Sequence, residues 1–214
     1  MRPGRIVALA AVAPVVALVG LAVLDPGLTA QLVEEEGPIE WTQSALCAVA
    51  AVLALLRARA EARLGRSPAF DLLIASTLAT LAVGELELDR WLFGTKVIGT
   101  RFFLNPRKPV AWPWRLLTAL IVVGVPAAVA VYALARLRTV VAAGAEAVGQ
   151  AWGQGLLAGV VLFGASQALE PLLDRVEVVS PFFLEETAEL AASACFVIAY
   201  VVRPAATRAP ALRR

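Results

Sequence analysis

Residues 6–24 read IVALAAVAPVVALVGLAVL, 19 consecutive positions without a charged side chain. About 20 apolar residues in a helix are long enough to cross the hydrocarbon core of a bilayer. The basic segment MRPGR precedes this run, and the helix-breaking sequence Asp25-Pro26-Gly27 follows it. A cleaved signal peptide is the alternative interpretation, but its apolar segment has about 7–15 residues. The run therefore predicts a first membrane-spanning helix that is retained.

The composition of the whole chain points the same way. Hydrophobic residues make up 60% of the 214 residues and charged residues 17%, with a net charge of +2, and the mean hydropathy is +0.78. A soluble domain is much less apolar than this. We expect one integral membrane domain over residues 1–214, surrounded by the lipid bilayer and without a nucleic acid partner.

Further apolar runs follow the first one. Ser67-Pro68 has the pattern of an N-cap followed by proline at the first helical position. A Gly124-Val125-Pro126 sequence predicts a kink in a later run. The predicted fold is an all-α transmembrane helical bundle with a long outer loop at 91–115 and six spans, at about residues 6–24, 39–56, 69–90, 116–135, 151–169 and 185–202.

Two segments in the second half carry finer signals. Gly155 and Gly159 are four residues apart, a spacing that favours close approach of another helix because glycine has no side chain. Residues 139–150 are rich in small side chains and fit either a re-entrant segment or a surface helix.

Charges are distributed unequally between the two predicted sides of the membrane. One side includes both termini and holds 12 Lys and Arg against three acidic residues, Glu61, Asp71 and Glu146. The other side has 7 basic and 14 acidic residues. Because cytoplasmic loops are the ones enriched in Lys and Arg, we expect both termini in the cytoplasm.

Three acidic residues of the outer side, Glu85, Glu87 and Asp89, lie in the stretch GELELDRWLFGTKVIGTRFFLNP, residues 84–106. Helix residues four apart share a face, so Glu85 and Asp89 are expected on one face while Glu87 points elsewhere. Near the start of the last predicted span, Glu189 is followed at once by apolar sequence. That position predicts a carboxylate about one turn below the membrane surface.

An ionisable side chain within a membrane is costly unless it faces the protein interior and pairs, so it indicates a functional site. Applied to the outer side, this reasoning selects a candidate polar site made of Glu40, Glu85, Glu87, Asp89, Arg90, Arg101, Glu186 and Glu189.

The chain has no histidine, and its two cysteines, Cys47 and Cys195, lie inside apolar runs. The missing histidine excludes a Ser-His-Asp triad, histidine-ligated haem and histidine-ligated zinc. Each cysteine is expected to pack as a small apolar side chain rather than to form a disulfide.

Four short motifs occur in an order that resembles a group of small bacterial polytopic membrane proteins without an assigned activity. They are EEGxxEW at 35–41, ELDR at 87–90, KVxxxRFF at 96–103 and LEExxEL at 184–190. The group has an Arg directly before the first Glu of its third-span motif, where this chain has Gly84 or Leu86. The resemblance implies a helical protein of the bacterial inner membrane and supports the choice of acidic positions. A more distant likeness to ceramidase-like hydrolases is disfavoured, because their zinc site uses histidines.

Two functions fit these observations. In the first, Glu85, Asp89 and Glu189 hold a divalent cation such as Mg²⁺, Ca²⁺ or Mn²⁺, which prefer oxygen ligands. Arg90 and Arg101 would then bind an anionic lipid headgroup. The sequence predicts no particular reaction, so the site is either catalytic or a binding site.

In the second, the same charges form an ion-pair network within a structural or accessory membrane subunit. A transporter of ions or small solutes is a weaker alternative, because paired broken helices and charges at mid-membrane are missing. A homo-oligomer or a larger membrane complex is compatible with each of these functions.

Overall fold

The computed structural model describes residues 3–32, 37–85, 111–173 and 181–205, and within these ranges the secondary structure is helical, without strands. A π-helical turn, Leu120–Gly124, joins the fifth helix to the sixth. In chain order the helices are α1 (Pro3–Leu24), α2 (Pro26–Leu32), α3 (Pro38–Arg63), α4 (Ala69–Glu85), α5 (Trp112–Ala119), α6 (Val125–Ala135), α7 (Leu137–Val148), α8 (Ala151–Leu173) and α9 (Pro181–Val202).

Several of these helices have the length and composition of membrane spans. Three segments are long and apolar enough to cross a bilayer, namely α1, α3 and the continuous run Trp112–Ala135. Helices α7 and α8 pass the same test as a pair, which would make four spans, and α4 is a shorter apolar helix. The predicted all-α class is therefore confirmed, and the exposed apolar helices indicate a multi-pass membrane protein.

Helix α9 is the centre of the bundle and packs against α8, α3 and α1. Helix α4 packs on another side of α3, and α6 packs on α4. Helices α3 and α9 run in parallel, because Gln43 contacts Glu186 near their starts and Arg57 contacts Pro204 near their ends. We call the end where α3 and α9 begin the acidic end (Glu40, Glu185, Glu186, Glu189) and the opposite end the basic end (Arg57, Arg63, Arg66, Arg203).

Small residues bring the central helices close together. The core contains fully buried alanines on α3 and α9, including Ala54 and Ala199. A Cβ atom added at Gly159 of α8 would lie 2.4 Å from the ring of Phe196 on α9. A real Cβ does not approach another atom that closely, so this contact depends on glycine. The close helix contact predicted from Gly155 and Gly159 is confirmed.

Helices α7 and α8 meet at an angle of 102°. A Cβ at Gly153 would lie 2.0 Å from the carbonyl oxygen of Ala147, so this corner also requires glycine. The inward-facing residues of α7 include Val140, Ala143 and Ala147, three or four apart, and the remaining face is exposed. Helix α7 thus packs through one face, which fits both the re-entrant and the surface-helix interpretation of residues 139–150.

Several boundaries differ from the sequence prediction, including those of α2, α3 and α5. Helix α5 begins at Trp112, inside the predicted loop 91–115, because Pro113 is suited to the first turn of a helix. Helix α3 continues to Arg63, beyond the predicted end of that span at residue 56. A short helix, α2, replaces part of the predicted loop after the first span, and the Asp25 carboxylate accepts a hydrogen bond of 2.9 Å from the Leu28 amide at its start.

Candidate functional site at the acidic end

Glu189 is buried between α9 and α8, with 4% of its surface exposed. The Ser166 hydroxyl lies 3.0 Å from its carboxylate and 2.7 Å from the Phe163 carbonyl oxygen, so its single proton is shared between two acceptors, and the Gln167 side-chain amide donates a hydrogen bond of 2.8 Å to the carboxylate. Both donors lie on α8. The carboxylate predicted to lie below the surface is therefore inside the bundle and directed toward its neighbouring helix.

Glu186 lies one turn before Glu189 and faces a different helix, α3. The side-chain Nε2 of Gln43 donates to the Glu186 carboxylate at 2.7 Å and to the Glu186 backbone carbonyl at 2.9 Å. Both partners are acceptors, so the nitrogen of the Gln43 amide has to be on this side. The amide oxygen, Gln43 Oε1, is directed away from them.

Two buried polar atoms at the acidic end of α3 lack hydrogen-bond partners within the described residues. They are Gln43 Oε1 and the hydroxyl of the next residue, Ser44, whose residues are 1% and 0% exposed. Leaving a buried polar group unsatisfied costs about 1–3 kcal/mol. Native structures contain few such groups, and each requires an explanation such as a bound ion or water.

The polar contacts continue inward along the interface of α3 and α9. Cys47 follows Gln43 by one helical turn, Ser193 follows Glu189 by one turn, and their Sγ and Oγ atoms are 3.3 Å apart. Both cysteines are buried and neither forms a disulfide, as the sequence predicts. The row of polar groups on α3 thus meets a matching row on α9.

Most polar atoms at the acidic end are oxygens that can accept hydrogen bonds or bind a cation. It contains two carboxylates, the unpartnered amide oxygen of Gln43 and the hydroxyls of Ser44 and Ser166. Such a set suits a hard cation, or the hydrogen-bond donors of a cationic group, and it is unsuited to an anion. Within the described residues, no group of three or more Cys, Asp or Glu side chains is close enough to hold a metal ion.

The structure brings part of the predicted site together. Glu186 and Glu189 lie on neighbouring faces of α9, and Glu40 is half-buried in the first turn of α3 at the same end. Helix α4 ends with the backbone of Glu85. The Glu85 side chain lies outside the described residues, as do the predicted site residues Glu87, Asp89, Arg90 and Arg101. Their roles, including the metal set Glu85, Asp89 and Glu189, stay predictions.

The predicted site contains only charged residues, so it omits the uncharged polar side chains that lie there. Gln43 and Ser44 lie one turn after Glu40, and Ser166-Gln167 interrupts an apolar run. Polar residues at such positions inside predicted spans are the signal that could have identified them, since a buried amide or hydroxyl needs a partner.

Comparisons with protein-family models, with curated proteins and with solved structures find no match to this chain.

Proposed function

We propose that the chain is a six-span membrane protein with both termini in the cytoplasm, which binds a hard cation at the outer, acidic end of its bundle. In this topology α4 and α9 complete the spans formed by α1, α3, Trp112–Ala135 and α8, while α7 lies along the inner surface. The distribution of Lys and Arg between the two ends supports the orientation.

The observation that carries the cation site is the buried oxygen of Gln43. The nitrogen of the same amide donates to the Glu186 carboxylate at 2.7 Å, and the oxygen, on the other side of the amide, has no partner within the described residues. A cation at this point would accept electron pairs from Gln43 Oε1 and Ser44 Oγ. The charges of Glu186 and Glu189 would compensate it.

The outer end of α4 supplies further candidate ligands in this proposal. Helix α4 packs along α3, and its residue Asp71 lies at the basic end, bonded to Arg203. At a rise of 1.5 Å per residue, Glu85 is about 21 Å farther along the helix, toward the acidic end. Glu85 and Asp89 are thus expected to add the carboxylates that a divalent ion prefers.

The test is the thermal unfolding of the detergent-purified protein with Mg²⁺, Ca²⁺, Mn²⁺ or Na⁺, and with a chelator. A ligand that binds the folded state at 100 times its Kd stabilises it by about 2.7 kcal/mol. We expect one of these cations to raise the unfolding temperature of the wild type and to have no such effect on Glu189→Gln. Asp25→Asn removes a charge at the same end, retains the helix cap and should keep the effect.

A structural role is the second candidate, because the same hydrogen bonds join α9 to α3 and to α8. If this role is the whole function, Glu189→Gln will lower the unfolding temperature equally with and without cations. The wild type will then show no shift with any cation. That result would rule out the cation site and leave a network that holds the helices together.

A further inference from the structure

A cavity of about 250 Å³ lies between α4 and the span formed by α5, the π-helical turn and α6. On α4 it follows one face from Leu72 to Val83, where the lining residues recur every three or four positions. The opposite wall runs from Ile121 in the π-helical turn to Val129 in α6, and Leu55 of α3 also lines the cavity. An apolar cavity of about 150 Å³ is already large enough to bind benzene. This cavity therefore has room for a larger apolar ligand.

The cavity is long, apolar and open to the side of the bundle. Its face on α4, Leu72 to Val83, extends over about 16 Å at 1.5 Å per residue. Three of its lining residues, Leu55, Ile121 and Val125, also belong to the exposed apolar surface. None of the lining residues is charged. These properties suit an uncharged molecule with an extended carbon chain that enters from the hydrocarbon part of a bilayer.

One hydroxyl group in this apolar lining, that of Ser76, is available to a ligand. The neighbouring hydroxyls of Thr77 and Thr80 donate to backbone carbonyls four residues earlier, at 3.0 Å and 2.9 Å. The Ser76 hydroxyl, in contrast, forms no hydrogen bond with any other residue that the structure describes. A hydroxyl in apolar surroundings without a partner costs about 1–3 kcal/mol. Ser76 thus favours a ligand that brings a polar atom to this wall.

The opposite wall contains a backbone acceptor that has lost its donor. Pro126 lines the cavity and has no N–H group. The next residue before it, Val125, donates to the Leu120 carbonyl five residues earlier, in the π-helical register. A donor at position 126 would reach the carbonyl of Ile121 or Val122, and both of these residues line the cavity. Since the bilayer core offers no water to such a carbonyl, a ligand with an O–H group is favoured here.

We propose that this cavity binds an apolar molecule with a single hydroxyl group, of the class of the long-chain alcohols. A hydroxyl group both accepts and donates a hydrogen bond. It can therefore accept from Ser76 on one wall and donate to the carbonyl freed by Pro126 on the other. The apolar side chains of both walls contact the carbon chain, as is usual for small-molecule sites in which a few polar groups fix the orientation.

Binding is measured by photolabelling of the full chain in a non-ionic detergent with an octanol that carries a diazirine group. Mass spectrometry of the peptides locates the labelled residues. Two unlabelled competitors are used, 1-octanol and nonane, which has the same chain length and no hydroxyl group. The ratio of the concentrations at which they halve the labelling is compared between proteins, because their partition into the detergent then cancels.

Three variants are compared with the wild type. Ser76→Ala removes the available hydroxyl, and Ala79→Leu adds a larger side chain to the same wall. Thr77→Ala is the matched control, since the exposed Thr77 hydroxyl bonds to Leu73 within its own helix and does not line the cavity.

We expect the label on the cavity walls, in α4 and in the π-helical turn. Ser76→Ala should lower the preference for octanol over nonane about threefold to tenfold, which corresponds to the loss of one hydrogen bond. Ala79→Leu should reduce the labelling of these walls, and Thr77→Ala should change neither quantity. Even labelling of all exposed apolar helix faces, or labelling that Ala79→Leu does not reduce, would rule out a binding site in this cavity. An unchanged octanol preference in Ser76→Ala would rule out recognition of the hydroxyl group and leave a site for any apolar chain, contrary to the proposal.

Discussion

One side-chain amide joins Gln43 of α3 to Glu186 of α9 through two hydrogen bonds, of 2.7 Å to the carboxylate and 2.9 Å to the backbone carbonyl. The two residues are 143 positions apart in the sequence. Gln43 therefore fixes both the side chain and the backbone of the α9 turn that precedes Glu189, and the geometry of the acidic end depends on it.

Replacing Gln43 with Leu should destabilise the protein by about 1–3 kcal/mol, because the Glu186 carboxylate loses a buried donor. The measurement is the free energy of unfolding in detergent. Thr42→Ala is the control, since the exposed Thr42 hydroxyl bonds to Pro38 within its own helix. Equal effects of the two substitutions would contradict a special role of Gln43.

Ser166 and Glu189 should be energetically coupled. Contacting residues in one hydrogen-bond network show interaction energies of about 0.5–3 kcal/mol in double-mutant cycles. We expect a value in the lower half of this range for Ser166→Ala combined with Glu189→Gln, because a single bond of 3.0 Å connects them. Unfolding free energies of the two single variants and the double variant give the value, and strict additivity would show that the bond contributes nothing.

Gly159→Ala should destabilise the protein by about 1–3 kcal/mol through overpacking, because the new methyl group would lie 2.4 Å from the Phe196 ring. Gly164→Ala is the matched control on the same helix, with no atom within 4 Å of its added Cβ. Thermal unfolding of both variants tests the difference. Adding Phe196→Leu to the Gly159 variant should restore part of the stability, and no restoration would mean that another contact is responsible.

Loss of Asp71 should destabilise the protein more than loss of the Tyr200 hydroxyl, although both groups contact the same ion pair of Asp71 and Arg203. Asp71→Ala leaves the Arg203 guanidinium, whose side chain is 11% exposed, without its carboxylate, and breaking a buried pair in this way costs about 3–5 kcal/mol. Tyr200→Phe removes one hydrogen bond of 3.1 Å and should cost about 0.5–1.5 kcal/mol. Denaturant unfolding measures both values, and the reverse order would contradict the assigned geometry.

The helical class and most helix positions could be predicted from the sequence, because long apolar runs and proline positions are local signals. Pro113 shows the limit of that reasoning. It belongs to the predicted loop 91–115, whereas it lies in the first turn of α5. The corner between α7 and α8 is also not a local property, since it depends on the packing of Gly153 against the backbone of Ala147.

The candidate site was predicted in part for a similar reason. Charged residues in an apolar sequence stand out, and Glu189 was identified in this way. No local sequence signal singles out Gln43, because its partner Glu186 is brought beside it only by the packing of α3 on α9. At the basic end, Glu61 and Asp71 are isolated acidic residues in a sequence rich in arginine. Their partners, Arg57 and Arg203, are known only from the tertiary structure.

Helix α8 is continuous from the basic end of the bundle to the acidic end. Trp152, in its first turn, lies against the Arg203 guanidinium at the basic end. Ser166, about 21 Å farther along the helix at 1.5 Å per residue, contacts Glu189. The corner at the start of α8 depends on Gly153, which lies against the backbone of Ala147. A larger residue at Gly153 would therefore disturb the same helix that positions Ser166 and Gln167 beside Glu189.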